Sequence, residues 1–213
     1  MWTTGDVLTN PITGERVEVR AGRADTGDDR VVLDLVVPAG RAGSGEHVHA
    51  GASERVEVLE GRLGYAIGRE GGLALAGDVL TIAPGITHEW WNAGAEDAAV
   101  RLDVWPAERF ELMVETLFGL AAQGRTNREG TPGVLQLAVL ARAFGAQVVP
   151  AGRLVRTRRA LLAALAPFGL ALGRRATYDG HRELLLRYGR GSIVEGAASP
   201  AEVVPEPALS LVA

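Results

Sequence analysis

The sequence contains no cysteine. Disulfides, thiolate metal sites and cysteine nucleophiles are therefore excluded, and the redox compartment stays open. It also lacks a run of about 18 apolar residues, so no ordinary transmembrane helix is expected. The opening segment, MWTTGDVLTNPITGERVEV, has no basic stretch leading into an apolar one, and a secretory signal is not expected. There is no basic excess: 22 basic residues face 26 acidic ones, a formal net charge of −4, which does not suit a dedicated nucleic-acid binder. No internal repeat is visible, which argues against a duplicated domain. A cytoplasmic protein is the expectation.

What is present is an ordinary globular composition, 47% hydrophobic and 23% charged over 213 residues. That length suits one good-sized domain, or a small domain with an appendage. The texture changes near Pro106. Before it, short β-type runs alternate with Gly, Asp and Asn turn signals: Arg16–Arg20, Arg30–Val37, Glu54–Leu59, Leu63–Ile67, Val79–Ile82, His88–Asn92 and Ala98–Val104. Such a pattern predicts an antiparallel sandwich or barrel.

After Pro106 the apolar period lengthens to about 3.6 residues. Phe110, Met113, Val114, Leu117, Phe118 and Ala121 make one helical stripe. Thr131-Pro132 reads as an N-cap followed by proline at the first helical position, opening a helix that runs to Phe144. A third apolar stretch, Ala160–Gly173, is interrupted by Pro167. From about Gly189 the composition predicts a loose tail. The division expected is a β-barrel over 1–106, three helical segments over 107–188 and a disordered tail over 189–213.

Histidine is scarce, and three of the four fall within the β-rich part: His47, His49 and His88. His47 and His49 stand at i and i+2, so a strand would aim both imidazoles to one side. Glu54 opens the next predicted strand. His88 opens another, sharing a face with Trp90 and Asn92. Two His from one strand, a carboxylate from its neighbour and a third His from a later strand can converge inside a closed sheet. Three imidazoles and one carboxylate suit a single divalent first-row ion with room for water or substrate. His181, in Tyr178-Asp179-Gly180-His181, has no nearby histidine and is read as structural or solvated.

These residues carry a family resemblance. His47-x-His49, four residues, Glu54, six residues and Gly61 resemble the first cupin motif. Gly77-Asp78, then Ala83-Pro84-Gly85-Ile86-Thr87-His88, three residues and Asn92 resemble the second. Arg41 stands where the family has a leading glycine, and Ala83 where it has a proline. Neither departure removes a ligand. The resemblance spans about Val31 to Val104 and implies a mainly β fold, a double-stranded β-helix or jelly-roll barrel, followed here by a helical C-terminal extension. It implies one divalent metal (Fe, Mn, Ni, Cu or Zn) held by His47, His49, Glu54 and His88. It also implies an oxidoreductase of the quercetin-dioxygenase kind, with Glu54 as fourth ligand or as acceptor of the substrate proton.

Strand parity predicts a largely apolar pocket. Val56 and Val58 follow Glu54 inward, Trp90 shares the His88 face, and Leu33, Leu35, Leu102 and Val104 would line the inner wall. Trp90 is the best single candidate for substrate contact, and Arg55 and Glu57 are expected outside. The expected ligand is a small, largely apolar organic molecule. Two other functions stay open: a metal-dependent isomerase, and a non-enzymatic small-molecule binding or accessory module. Outward Trp91 and Trp105 suggest a homodimer. The segment 134–175, apolar and flanked by arginines, reads either as a peripheral membrane contact or as a helical cap or dimer interface. Pro167 and Gly169, which break up an amphipathic face, favour the second.

Overall fold

A computed structural model describes residues 2–145, 149–150 and 155–189. The chain first lays down β1 (Val7–Thr9), β2 (Arg16–Ala21), a single helical turn α1 (Arg23–Thr26) and β3 (Val31–Val37). Then come β4 (Ala42–Val48), β5 (Ser53–Glu60), β6 (Arg62–Ile67), β7 (Glu70–Leu75), β8 (Val79–Ile82), β9 (His88–Asn92) and β10 (Ala98–Trp105). One antiparallel sheet has the order β1-β2-β3-β10-β5-β8 and the other β4-β9-β6-β7. The architecture is the expected jelly roll followed by helices.

The alternation of the sequence decides which side of each strand is buried. In β3, Val31, Leu33, Leu35 and Val37 are buried, and in β10 Ala98, Val100, Leu102 and Val104. Leu33 pairs with Leu102, which pairs in turn with Val56 of β5, so one apolar row crosses three strands. Each such side chain withdrawn from water stabilises the barrel by about 1.5–3 kcal/mol. Arg55 and Glu57 lie on the outer side, as expected, and hydrogen-bond to each other at 2.9 Å. The switch from β5 to β6, which belong to different sheets, is made by Gly61 at φ +81°. A Cβ there would lie 3.0 Å from that of Ala98, so glycine is required for both conformation and space.

The helices are α2 (Phe110–Ala122), α3 (Val134–Phe144), α4 (Val155–Ala171) and α5 (His181–Gly189). The Phe110–Ala121 stripe lies on α2, whose Phe110 and Phe118 join the barrel core. The buried Trp2 ties the N-terminus to this helix, its backbone amide donating to Glu111 (3.1 Å) and its indole to Glu115 (2.8 Å). On the barrel, α5 is anchored by fully buried Leu185 and by the Arg182–Asp6 ion pair. Between α3 and α4 the chain returns to the barrel as β11 (Val149–Pro150), pairing antiparallel with Val48 and His47 on the outer edge of β4.

Three expectations are corrected. The second helix opens at Val134 with Gly133 as its N-cap, because Thr131 and Pro132 close a loop instead. Pro132 bridges Thr126, and the Asn127 carboxamide accepts from the amides of Glu129 and Thr131. The third helix starts earlier than Ala160 and continues through Pro167, because packing on α3 outweighs one missing backbone donor. A fourth helix, α5, follows the Gly180 turn where three segments were expected; burial of Leu185 accounts for it. The tail from 190 to 213 lies outside the described residues.

Gly169 allows a close approach of α4 to α3: a Cβ there would lie 2.6 Å from the Leu135 carbonyl oxygen and 2.8 Å from Val139. Gly169→Val is therefore expected to destabilise the chain by about 1–3 kcal/mol through overpacking. The check is a lower urea midpoint with an unchanged m-value.

Candidate metal centre

Strand register brings the four residues together. His47 on β4 sits directly opposite His88 on β9, and Glu54 enters from β5 in the facing sheet. His49 follows just after β4. The pairing of β4 with β9 shifts register twice before His47, an irregularity of the kind that re-aims side chains beside sites. His47, His49, Glu54 and His88 are all buried, and their ligand atoms lie within 4.8 Å of one another.

The arrangement is directional. The Nδ1–H of His47 donates to the Gly45 carbonyl (2.8 Å), and that of His88 to the Ile86 carbonyl (2.9 Å). Each bond leaves the Nε2 lone pair facing the common centre, the usual way in which a backbone acceptor sets the tautomer of a ligating histidine. His47 Nε2 lies 3.1 Å from His49 Nε2, which lies 2.8 Å from Glu54 Oε2. His88 Nε2 is buried, 3.5 Å from Glu54 Oε2, and has no hydrogen-bond partner. A buried acceptor left unsatisfied is costly, and a cation at the centre would satisfy it. The donor set fits a divalent first-row ion.

The second carboxylate oxygen of Glu54 accepts from the Trp90 indole at 3.0 Å. Glu54 thus turns one oxygen toward the histidines and has the other tethered. Sequence reasoning placed Trp90 on the correct face and read it as a substrate contact; in the structure it is buried and its indole holds the carboxylate. A buried indole N–H needs a partner, and that was the available signal. Asn92 is a structural residue, donating to the Val37 and Glu96 carbonyls and accepting from the Gly94 amide. The expected wall residues Val56, Val58, Leu33, Leu35, Leu102 and Val104 are buried in the barrel core. His181 stands apart from the centre, buried, stacked on Tyr178 and pressed against Gly119 of α2.

Electrostatics follow from the packing. For Glu54, burial alone raises the pKa, but the hydrogen bond to His49 and the close imidazole of His88, with their charge, outweigh it and hold the carboxyl below its ordinary range. For His88, burial pulls down, and the negative charge of the Glu54 carboxylate, 3.5 Å away, prevails and holds the group above its ordinary value. His47 is pushed down to about 4 by burial first and by the charge of His88 second.

A family model described as a cupin domain matches residues 33–105, which run from β3 to the last residue of β10. The barrel is a cupin domain. No curated protein matches the chain. Among solved structures it is similar to a sugar phosphate isomerase of the cupin superfamily from Silicibacter pomeroyi, with 20% identity over 44% of this chain and a TM-score of 0.39. The chain spans 60% of the length of that protein. It is also similar to an RmlC-like cupin from Shewanella frigidimarina (15% identity, 49% of this chain, 86% of that one, TM-score 0.42). A third is the Cnp3 cupin domain of Schizosaccharomyces pombe (11% identity, 46% of this chain, 69% of that one, TM-score 0.38).

Two predictions follow from the geometry. Trp90→Phe keeps the ring and removes the tether, and should weaken metal affinity about 10–100-fold, as loss of such supporting bonds does; calorimetric titration with a divalent ion reads this. Protons compete with the metal at the imidazoles, so retention should begin to fall as His88, held above its ordinary value by Glu54, takes up its proton. It should be lost by the time His47 charges, at about 4. Metal content measured after dialysis across this range decides it, and full retention at the acid end would contradict histidine ligation.

Proposed function

We propose that the chain is a metal-dependent enzyme acting on a small, largely apolar organic molecule, and that its reaction is an oxygenation. The observation that carries this reading is the inward convergence of three imidazoles, two of them oriented by backbone carbonyls, with one tethered carboxylate. A divalent first-row ion held there would supply Lewis acidity toward an enol or phenol oxygen and, if redox-active, access to dioxygen.

The chain's own groups do the rest. The apolar row Leu33, Leu102 and Val56 carries no charge on the inner side of the barrel, in keeping with an apolar substrate body. Glu54 Oε2 is the proton acceptor for the substrate hydroxyl. The Trp90 indole fixes the carboxylate during that transfer, and His49 shares the same oxygen. The carboxylate is held below its ordinary range and is ionised at neutral pH.

Protein purified without chelators should contain a divalent metal and consume oxygen with a member of a set of flavonols, 1,3-diketones and phenols. His88→Ala should abolish turnover, and Glu54→Gln should reduce kcat by about 10²–10⁴-fold, the usual worth of a positioned base. Tight binding with no turnover would assign a carrier or sensor instead. Product formation without oxygen uptake would assign an isomerase at the same centre.

A further inference from the structure

The hairpin of α3 and α4 has a composition unlike the rest of the chain. Residues 130–178 hold seven of the 22 basic residues, all of them arginine, and none of the 26 acidic ones. The remaining sequence is correspondingly acidic, with fifteen arginines against all 26 acids. Charge of opposite sign has been sorted onto two parts of one molecule.

The packing of α4 sharpens this. Ala166 and Gly169 are buried on the side toward α3, and Gly169 allows the close approach described above. Gly169 therefore lies on the packed side and does not interrupt the outer one. The outer side is left without a partner among the described residues: Leu161, Phe168 and, just past the helix, Leu172 are 56%, 64% and 68% exposed. These three follow at i, i+7 and i+11, one line along the helix. No charged residue occurs from Ala160 to Gly173. Exposed Arg158 and Arg159 stand at one end of this line and exposed Arg174 and Arg175 at the other.

The arginine-bearing end is held in place. Gln136 on α3 donates to the Arg175 carbonyl (2.7 Å), while Tyr178 donates to Gln136 (2.8 Å) and accepts from the Arg175 amide (3.0 Å). Arg174 also lines, with Arg125, a cleft of about 400 Å³ at this end of the hairpin.

From the charge complementarity and the apolar line together, we propose that the α3–α4 hairpin docks on an anionic lipid bilayer. The helix α4 lies in the interfacial plane, with Leu161, Phe168 and Leu172 in the acyl boundary and the flanking arginines at phosphate level. At 17 residues, roughly 25 Å, it is suited to lie on the surface, and among the described residues no helix is long and apolar enough to cross a membrane. A second copy does not suit this face. A two-fold pairing through it would set one arginine cluster against its twin.

The test is co-sedimentation of the full chain with vesicles of phosphatidylcholine alone and of equimolar phosphatidylcholine and phosphatidylglycerol. Binding is expected to the second only, with loss in high salt. Arg158→Gln, Arg159→Gln, Arg174→Gln and Arg175→Gln should each weaken partitioning roughly fivefold. The double variant Phe168→Ser, Leu172→Ser, at exposed positions, should stop sedimentation and leave the circular dichroism unchanged. The proposal is overturned by absence of binding to the anionic vesicles, by equal partitioning onto both vesicle types, or by full binding of the double serine variant. A dimer in light scattering that the same variant splits would assign the face to a second copy and overturn it equally.

Discussion

A carboxylate withdrawn from water is the constraint around which the barrel is arranged. Glu54 is buried, and burying an unpaired charge is among the most expensive acts in folding. The compensation comes from the facing sheet: His88 and the indole of Trp90 approach from β9, and His49 from the end of β4. The two sheets are thereby locked face to face at one point, and the cluster of imidazoles follows from that requirement as much as from any need of chemistry. A site built this way is preorganised, because the groups that hold it are the ones that make the charge tolerable.

Much of this was legible in the sequence, because strands report their buried side at every second residue. Leu33 and Leu35, Val56 and Val58, and Leu102 and Val104 announce the inner wall. Val79–Ile82 and His88–Asn92 have in the structure the bounds that the sequence suggested. The four convergent residues were readable from spacing. What could not be read was what depends on distant partners. β7 is Gly-rich and mostly exposed, so it has neither hydrophobic alternation nor burial to betray it. β11 is only two residues long, and its partner lies a hundred residues earlier. The tether from Trp90 to Glu54 spans 36 positions, and strand parity gives the face of a side chain without the atom it meets. Thr131-Pro132 failed for a related reason: a good local capping signal lost to a loop that uses the same residues.

The C-terminal half is less a single appendage than two kinds of helix. α2 and α5 belong to the barrel, sharing its core through Phe110, Phe118 and Leu185. The α3–α4 pair is different in charge and in exposure, and it joins the rest through α2 and through the short strand between its helices. Histidine cluster and hairpin are thus separable in composition while being connected by backbone.

That short strand has a consequence for how the molecule could be taken apart. The end of the outer edge of β4, at His47 and Val48, is paired with Val149 and Pro150 from far along the chain. Cut after Pro106, the barrel would present a bare row of amides and carbonyls beside its own centre, a template for sticking to another copy. The same cut would strand Trp2, whose two acceptors reside on α2. The segment bearing the signature motifs is therefore no portable module.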